Sequence, residues 1–238
     1  MSWRTPMILE FNTINGTLKL PIYDVSGTYR VDWGDGSVNT EYTSITPSIT
    51  SEATNPIVKI QVKDDGSKIG IFGNSNSDWP GHDKLTTITQ WGDFNGLTAI
   101  NRLGDASLNE VPNYLPSTVM DMAFMFNNAS NFNQDISMWN VSKIKNMHQL
   151  FFGATSFNKY IGGWDVGDVT DMVCMFHSAT AFNQDIGNWD VRNVKSMSYM
   201  FHSATAFNQY IGAWNVRNVT TMEYMFHNAT AFNQYIGA

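Results

Sequence analysis

Between residues 119 and 238 the apolar positions return every 25 residues. Phe132, Phe157, Phe182, Phe207 and Phe232 keep this beat, as do Trp139, Trp164, Trp189 and Trp214, and Met122, Met147, Met172, Met197 and Met222. Fixed self-similarity at this period is the signature of a stacked repeat. Within one copy, Met172, Met175, Phe176 and Ala179 stand at i, i+3, i+4 and i+7, one apolar stripe of a short helix. Thr170 and Asp171 supply its N-cap. Trp189-Asp190-Val191 alternates in, out, in, as a very short strand does, and Arg192-Asn193 turns the chain into the next copy. A single copy buries too little to stand alone. The pattern therefore predicts coils stacked about 5 Å apart, with the Trp-Asp-Val segments paired as a parallel ladder.

The first 73 residues follow a different rule. Met7–Ile14 and Thr17–Tyr23 flank Asn15-Gly16, a strong hairpin signal. Thr28–Trp33, Pro56–Lys63 and Lys68–Phe72 alternate as strands, separated by the turns Gly34-Asp35-Gly36-Ser37 and Asp64-Asp65-Gly66-Ser67. This predicts a small antiparallel β-sandwich over residues 1–73. Residues 74–118 read as a linker with degenerate capping repeats: a loop at Asn74–Lys84, a strand at Leu85–Trp91, then Leu97, Ile100, Leu103, Leu108, Val111 and Leu115. Copies of the repeat begin near Val119, Ile144, Val169, Val194 and Val219, so 119–238 holds five, the last incomplete. The expected fold class is α+β: the sandwich followed by a leucine-rich-type α/β solenoid with short parallel strands.

Composition narrows the function. Hydrophobic residues make up 42% of the chain and charged residues 15%, which suits a packed core and excludes disorder. The net charge of −7 argues against nucleic acid and anionic membrane surfaces as partners. Cys174 is the only cysteine, so no disulfide forms within the chain. Its counterparts Gln149, Tyr199 and Tyr224 mark a boundary position rather than a nucleophile with a paired base. No secretory leader pattern opens the sequence.

The repeat also sorts side chains by phase. The Met, Phe and Trp rows read as core. Asn133, Asn158, Asn183, Asn208 and Asn233 read as an internal amide ladder that satisfies backbone groups at a turn. His177, His202 and His227 form an outward row following Asn127 and Phe152. No carboxylate or cysteine recurs in phase to complete a metal site there, so a row that repels itself when protonated is expected. Tyr160, Tyr210 and Tyr235 share a row with Asp135 and Asp185, a mixture suited to recognition. Thr155, Thr180, Thr205 and Thr230 lie in a turn, and the Asn-x-Ser/Thr sequons at Asn128, Asn140, Asn218 and Asn228 follow from repeat composition. No catalytic set, phosphate-cradling loop, metal or cofactor motif recurs, and no enzyme is expected.

The phrase Phe182-Asn183-Gln184-Asp185-Ile186-Gly187-Asn188-Trp189-Asp190-Val191-Arg192-Asn193-Val194 resembles the repeat of BspA-like leucine-rich-repeat surface proteins. Val31-Asp32-Trp33-Gly34-Asp35-Gly36-Ser37 resembles the hairpin of PKD-type sandwich domains. Of the calcium that its aspartates suggest and the hairpin-capping role, the capping role is the expected one. The resemblance implies a non-enzymatic, surface-exposed interaction or adhesion module. Its candidate contacts are Tyr160, Tyr210, Tyr235, His177, His202 and His227, and its partner a protein or glycan, or other copies of itself. It would sit outside the cell or on a particle surface. The alternative is a structural component of a larger assembly, favoured by the missing leader and by an array that stops before its last Trp.

Overall fold

Alternation becomes strand pairing in the first part of the chain. The computed structural model describes residues 2–36, 39–43, 47–51, 54–73 and 77–236. Ser37 of the expected turn, Asn74 to Asn76 of the expected loop, and Gly237-Ala238 lie outside the described residues. The chain divides into two compact units, Met1–Pro112 and Asn113–Ala238.

The first unit contains β1 (Met7–Phe11), β2 (Gly16–Lys19), β3 (Ile22–Ser26), β4 (Tyr29–Asp32), β5 (Thr40–Tyr42), β6 (Ser48–Ser51), β7 (Ile57–Val62), β8 (Lys68–Phe72), β9 (Leu85–Gln90) and β10 (Ala99–Ile100). They form a five-stranded sheet β5-β4-β7-β1-β9, a three-stranded sheet β10-β8-β3 and the pair β2-β6. The five-stranded sheet is antiparallel throughout. Met7, Leu9 and Phe11 of β1 and Val58, Ile60 and Val62 of β7 point inward at every second residue, as a half-buried strand requires. The expected Asn15-Gly16 hairpin does not form. β1 pairs with β7 and β9, whereas β2 pairs with β6, so long-range pairing overrides the local turn signal. Leu97, Ile100, Leu103, Leu108 and Val111 are all buried.

The Asp32–Gly36 turn has the capping role expected of it. Asp32 Oδ1 accepts the Gly34 N–H at 3.0 Å. Gly34 has φ +72, and a Cβ there would sit 2.5 Å from the Ile57 carbonyl oxygen, so glycine is required on both counts.

The second unit corrects the expected fold class. No α-helix occurs among the described residues. Among those residues the one helix of any kind is a 3-10 segment at His82–Lys84, in the first unit. The molecule is therefore β and turn in character, not α+β with an α/β solenoid. The 25-residue copies do lie coil on coil, but neither expected element forms in them. Over Met172–Ala179 the amides of Met172, Cys174, Phe176 and Ser178 donate to the carbonyls of Ser196, Ser198, Met200 and His202, each in the next coil. In chain order the pairs are Met172 to Ser196, Cys174 to Ser198, Phe176 to Met200 and Ser178 to His202, at 2.8–3.2 Å. The intervening amides of Met175, His177 and Ala179 reach back three residues, to Met172, Cys174 and Phe176. An α-helix needs i to i−4 bonds, and here half the donors have left for the neighbouring coil. Cys174 (φ 55) and Ser178 (φ 57) are left-handed, which also breaks a right-handed helix.

Trp189-Asp190-Val191 is not a strand either. The Trp189 amide bonds back to Ile186 and that of Val194 to Val191, closing turns. Parallel contact between coils is instead made at isolated bridges along Asp121, Asn146, Asp171, Ser196 and Thr221.

The core of this unit is two files of stacked rings. Phe151, Phe176 and Phe201 follow one another at 5.6 Å. Phe157, Phe182 and Phe207 follow at 6.1 Å. Within each coil the files touch, as Phe176 and Phe182 do at 4.0 Å. The Nε1–H groups of Trp164, Trp189 and Trp214 donate to the carbonyls of Ile136, Ile161 and Ile186, so the buried indoles are satisfied by the preceding coil. The methionines at 122, 125, 147, 172, 175, 197 and 200 are fully buried gap-fillers.

Two outcomes follow. Far-UV circular dichroism of the chain should lack the paired minima of α-helix. Phe176→Ala, which empties a site between two rings, should lower stability by about 3–5 kcal/mol in denaturant titration.

Candidate functional site

The turns that replace the helix place two left-handed residues in each coil. One row is Phe124, Gln149, Cys174, Tyr199 and Tyr224; the other contains Asn128, Gly153, Ser178, Ser203 and Asn228. Asn and Gly adopt this conformation readily, whereas Phe, Gln, Cys and Tyr do so at some energetic cost. The strained row flanks the position just before the second one, which carries Asn127, Phe152, His177, His202 and His227.

Four of these side chains stack without a break. Phe152 and His177 have ring centroids 4.4 Å apart, His177 and His202 4.4 Å, and His202 and His227 4.7 Å. Ser178 Oγ lies 2.9 Å from His177 Nδ1, and Ser203 Oγ 3.0 Å from His202 Nδ1. His227 Nδ1 and His202 Nε2 share a hydrogen bond at 3.0 Å. Tyr199 and Tyr224 stack at 5.2 Å and lie 5.7 Å from His202 and His227 respectively. Burial, and then the neighbouring His202, hold His177 below the ordinary imidazole pKa; burial and His227 do the same for His202. The sequence reading located the histidines of this row and missed Tyr199 and Tyr224. Their only sequence signal was a position that varies while its surroundings repeat.

The other expected contacts are arranged differently. Tyr160, Tyr210 and Tyr235 are exposed, at 53%, 51% and 69%. The Tyr160 and Tyr210 rings lie over Gly162 and Gly212, where a Cβ would come within 2.8 Å of each ring. Asp185 separates these two tyrosines in the row and has a local task, with Oδ1 accepting the Gly187 N–H. Asp135 does the same for Ser137, and that backbone hydrogen bond is the chief reason its carboxyl sits below the usual range. The acidic members of the row are turn caps.

Cys174 is half-buried. Burial, and then Asp171, push its thiol up to about 11. At Asp171 burial opposes ionisation, but the His148 ring 3.6 Å away and the hydrogen bond from the Val173 amide outweigh it and hold the carboxyl low. Among the described residues no group of three or more His, Cys, Asp or Glu side chains is placed to hold a metal ion. The asparagine ladder is real but lies at the surface rather than inside: the Oδ1 atoms of Asn133, Asn158, Asn183 and Asn208 accept the amides of Asn158, Asn183, Asn208 and Asn233 at 2.9–3.0 Å. Thr155, Thr180 and Thr205 donate to carbonyls of the preceding coil, at 3.3–3.5 Å.

A family model described as "Mycoplasma protein of unknown function, DUF285" matches residues 98–210 and 161–238, more than half of the chain. The chain belongs to this family. The matched segments include every coil described above, so the ring files, asparagine ladder and histidine row of this DUF285 member all fall inside the family's own region. No curated protein matches the chain. No solved structure matches it.

The thiol provides a direct check on this environment. A rise from 9.0 to about 11 lowers the thiolate fraction near neutral pH about a hundredfold. Iodoacetamide should therefore alkylate Cys174 in the folded chain at least that much more slowly than in denaturant, as followed by mass spectrometry.

Proposed function

We propose that this DUF285 chain is a non-enzymatic interaction module, presenting the Phe152–His177–His202–His227 row with Tyr199 and Tyr224 to a protein or glycan partner. The observation that carries this reading is the continuity of that row. The core already has two ring files of its own, so a third, running along the surface over four successive coils, is not needed to fill space. Rigid rings held in line offer contact area with little conformational freedom to lose on binding, which is why aromatic residues concentrate at recognition sites. Tyr160, Tyr210 and Tyr235 are proposed as accessory contacts, since each leaves half or more of its surface in solvent. The BspA-like and PKD-like phrases support the finer reading of a surface adhesion protein. The Cys174 thiol, raised to about 11, and the turn-capping aspartates have structural explanations, which leaves the exposed rings as the groups that remain for function.

The test is a printed array of glycans and purified proteins probed with the full chain and with a Tyr199→Ser/Tyr224→Ser variant. Tyr224 is 59% exposed and Tyr199 half-buried, and neither ring joins the core files, so the variant should keep the parent's fold. The reading predicts saturable binding to at least one array member that falls tenfold or more in the variant. Binding unchanged in the variant, or self-association of the chain in place of any saturable binding, would contradict it.

A further inference from the structure

We propose that the Phe152–His177–His202–His227 row is a proton-sensitive lock on the stacking of the coils, closed while the imidazoles are neutral and opened when they take up protons. This goes beyond the interaction reading and does not depend on it. The core rings of successive coils stand 5.4 to 6.5 Å apart, yet the imidazoles approach to 4.4 and 4.7 Å. Neutral rings at that distance attract by stacking. Two imidazolium charges there repel by several times the thermal energy, even in a partly solvated setting.

Hydrogen bonding points the same way. The 3.0 Å contact between His227 Nδ1 and His202 Nε2 requires one nitrogen to donate and the other to accept. When both rings are fully protonated, both nitrogens carry a hydrogen and the bond becomes a repulsive contact. Ser178 and Ser203, bonded to the Nδ1 atoms of His177 and His202, can donate or accept, so they permit either state.

The groups facing the row offer no compensating charge. His177 meets the rings of Phe152 and His202, and His202 those of His177, His227 and Tyr199. His227 meets His202 and Tyr224. Among the described residues no carboxylate forms an ion pair with any of these three histidines. Asp171, which pairs with a histidine of the array, lies 3.6 Å from His148. The folded-state pKa of His177 and of His202 is depressed, so the native row resists protons that an unfolded chain accepts near pH 6.5. Its stabilising contribution is therefore full above that pH and is lost as pH falls through and below it.

The row itself supplies the control, because Phe152 already stacks on His177 at 4.4 Å and 15°. His177→Phe/His202→Phe/His227→Phe thus keeps the rings and removes the protons. His82 and His148, the other two histidines, remain in both proteins and cancel. Denaturant titrations of the full chain at pH 7.5 and 5.5, where carboxylates stay ionised, read the difference. The unfolding equilibrium constant of the parent should rise severalfold more than that of the variant over this interval, because the unfolded chain takes up protons that the native row resists. NMR titration of the parent should place the His177 and His202 midpoints below 6.5. The same pH dependence in both proteins, or midpoints at or above 6.5, would overturn the proposal. If the triple variant does not fold, His202→Phe alone serves. Losing that neighbour should raise the His177 midpoint, and an unmoved midpoint would count against the lock.

Discussion

The backbone hydrogen bond from one coil to the next is the constraint from which the second unit follows. At every second residue of the 172–178 segment the amide points to the coil 24 residues later. Of the other amides, that of Val173 donates to Asp171 Oδ1, and those of Met175 and His177 close three-residue turns within their own coil. No backbone donor in that segment is then left over for a helix, and few of the buried polar groups go unsatisfied. The cost is paid in conformation, with left-handed φ at residues such as Cys174 and Ser178 in each coil. The bonds of this segment all run to the later coil, whereas the amides of Thr170 and Lys195 donate to the carbonyls of Lys145 and Thr170 in the coil before, so the coils are tied in both directions.

Everything else in the coils takes its place from that register. With the coil step fixed, identical side chains must lie directly above one another, so Phe stacks on Phe and Trp on Trp. Asn Oδ1 meets the amide of the next Asn for the same reason. The same register brings His177, His202 and His227 into a file on the surface, where no packing requirement calls for them. A row of like groups is a consequence of repetition. A row of titratable rings closer together than the core step is a more specific arrangement, and it is why function and proton sensitivity are both assigned there.

The 25-residue period was legible because stacking selects the same residue at the same phase. The burial of the Met, Phe and Trp rows was legible for the same reason, except in the last copy, where Met222 is 40% exposed. The helix was not. An i, i+3, i+4, i+7 stripe arises equally from a chain of three-residue turns, as at Met172, Met175, Phe176 and Ala179. The residues that decide between the two, Phe124, Gln149, Cys174, Tyr199 and Tyr224, adopt positive φ without being glycine or asparagine and so give no local signal. Asn15-Gly16 failed as a hairpin because β1 and β2 each found a distant partner. At the candidate site the histidine row could be read from phase alone. Tyr199 and Tyr224 could not be attached to it until the turn placed their rings 5.7 Å from His202 and His227. Asp135 and Asp185 looked like recognition groups until their hydrogen bonds showed them capping turns.

The most direct measurement is of through-hydrogen-bond scalar couplings by NMR. This account predicts couplings from the Cys174 amide to the Ser198 carbonyl and from the Phe176 amide to the Met200 carbonyl. A coupling from Phe176 back to Met172, the helical partner, would contradict it.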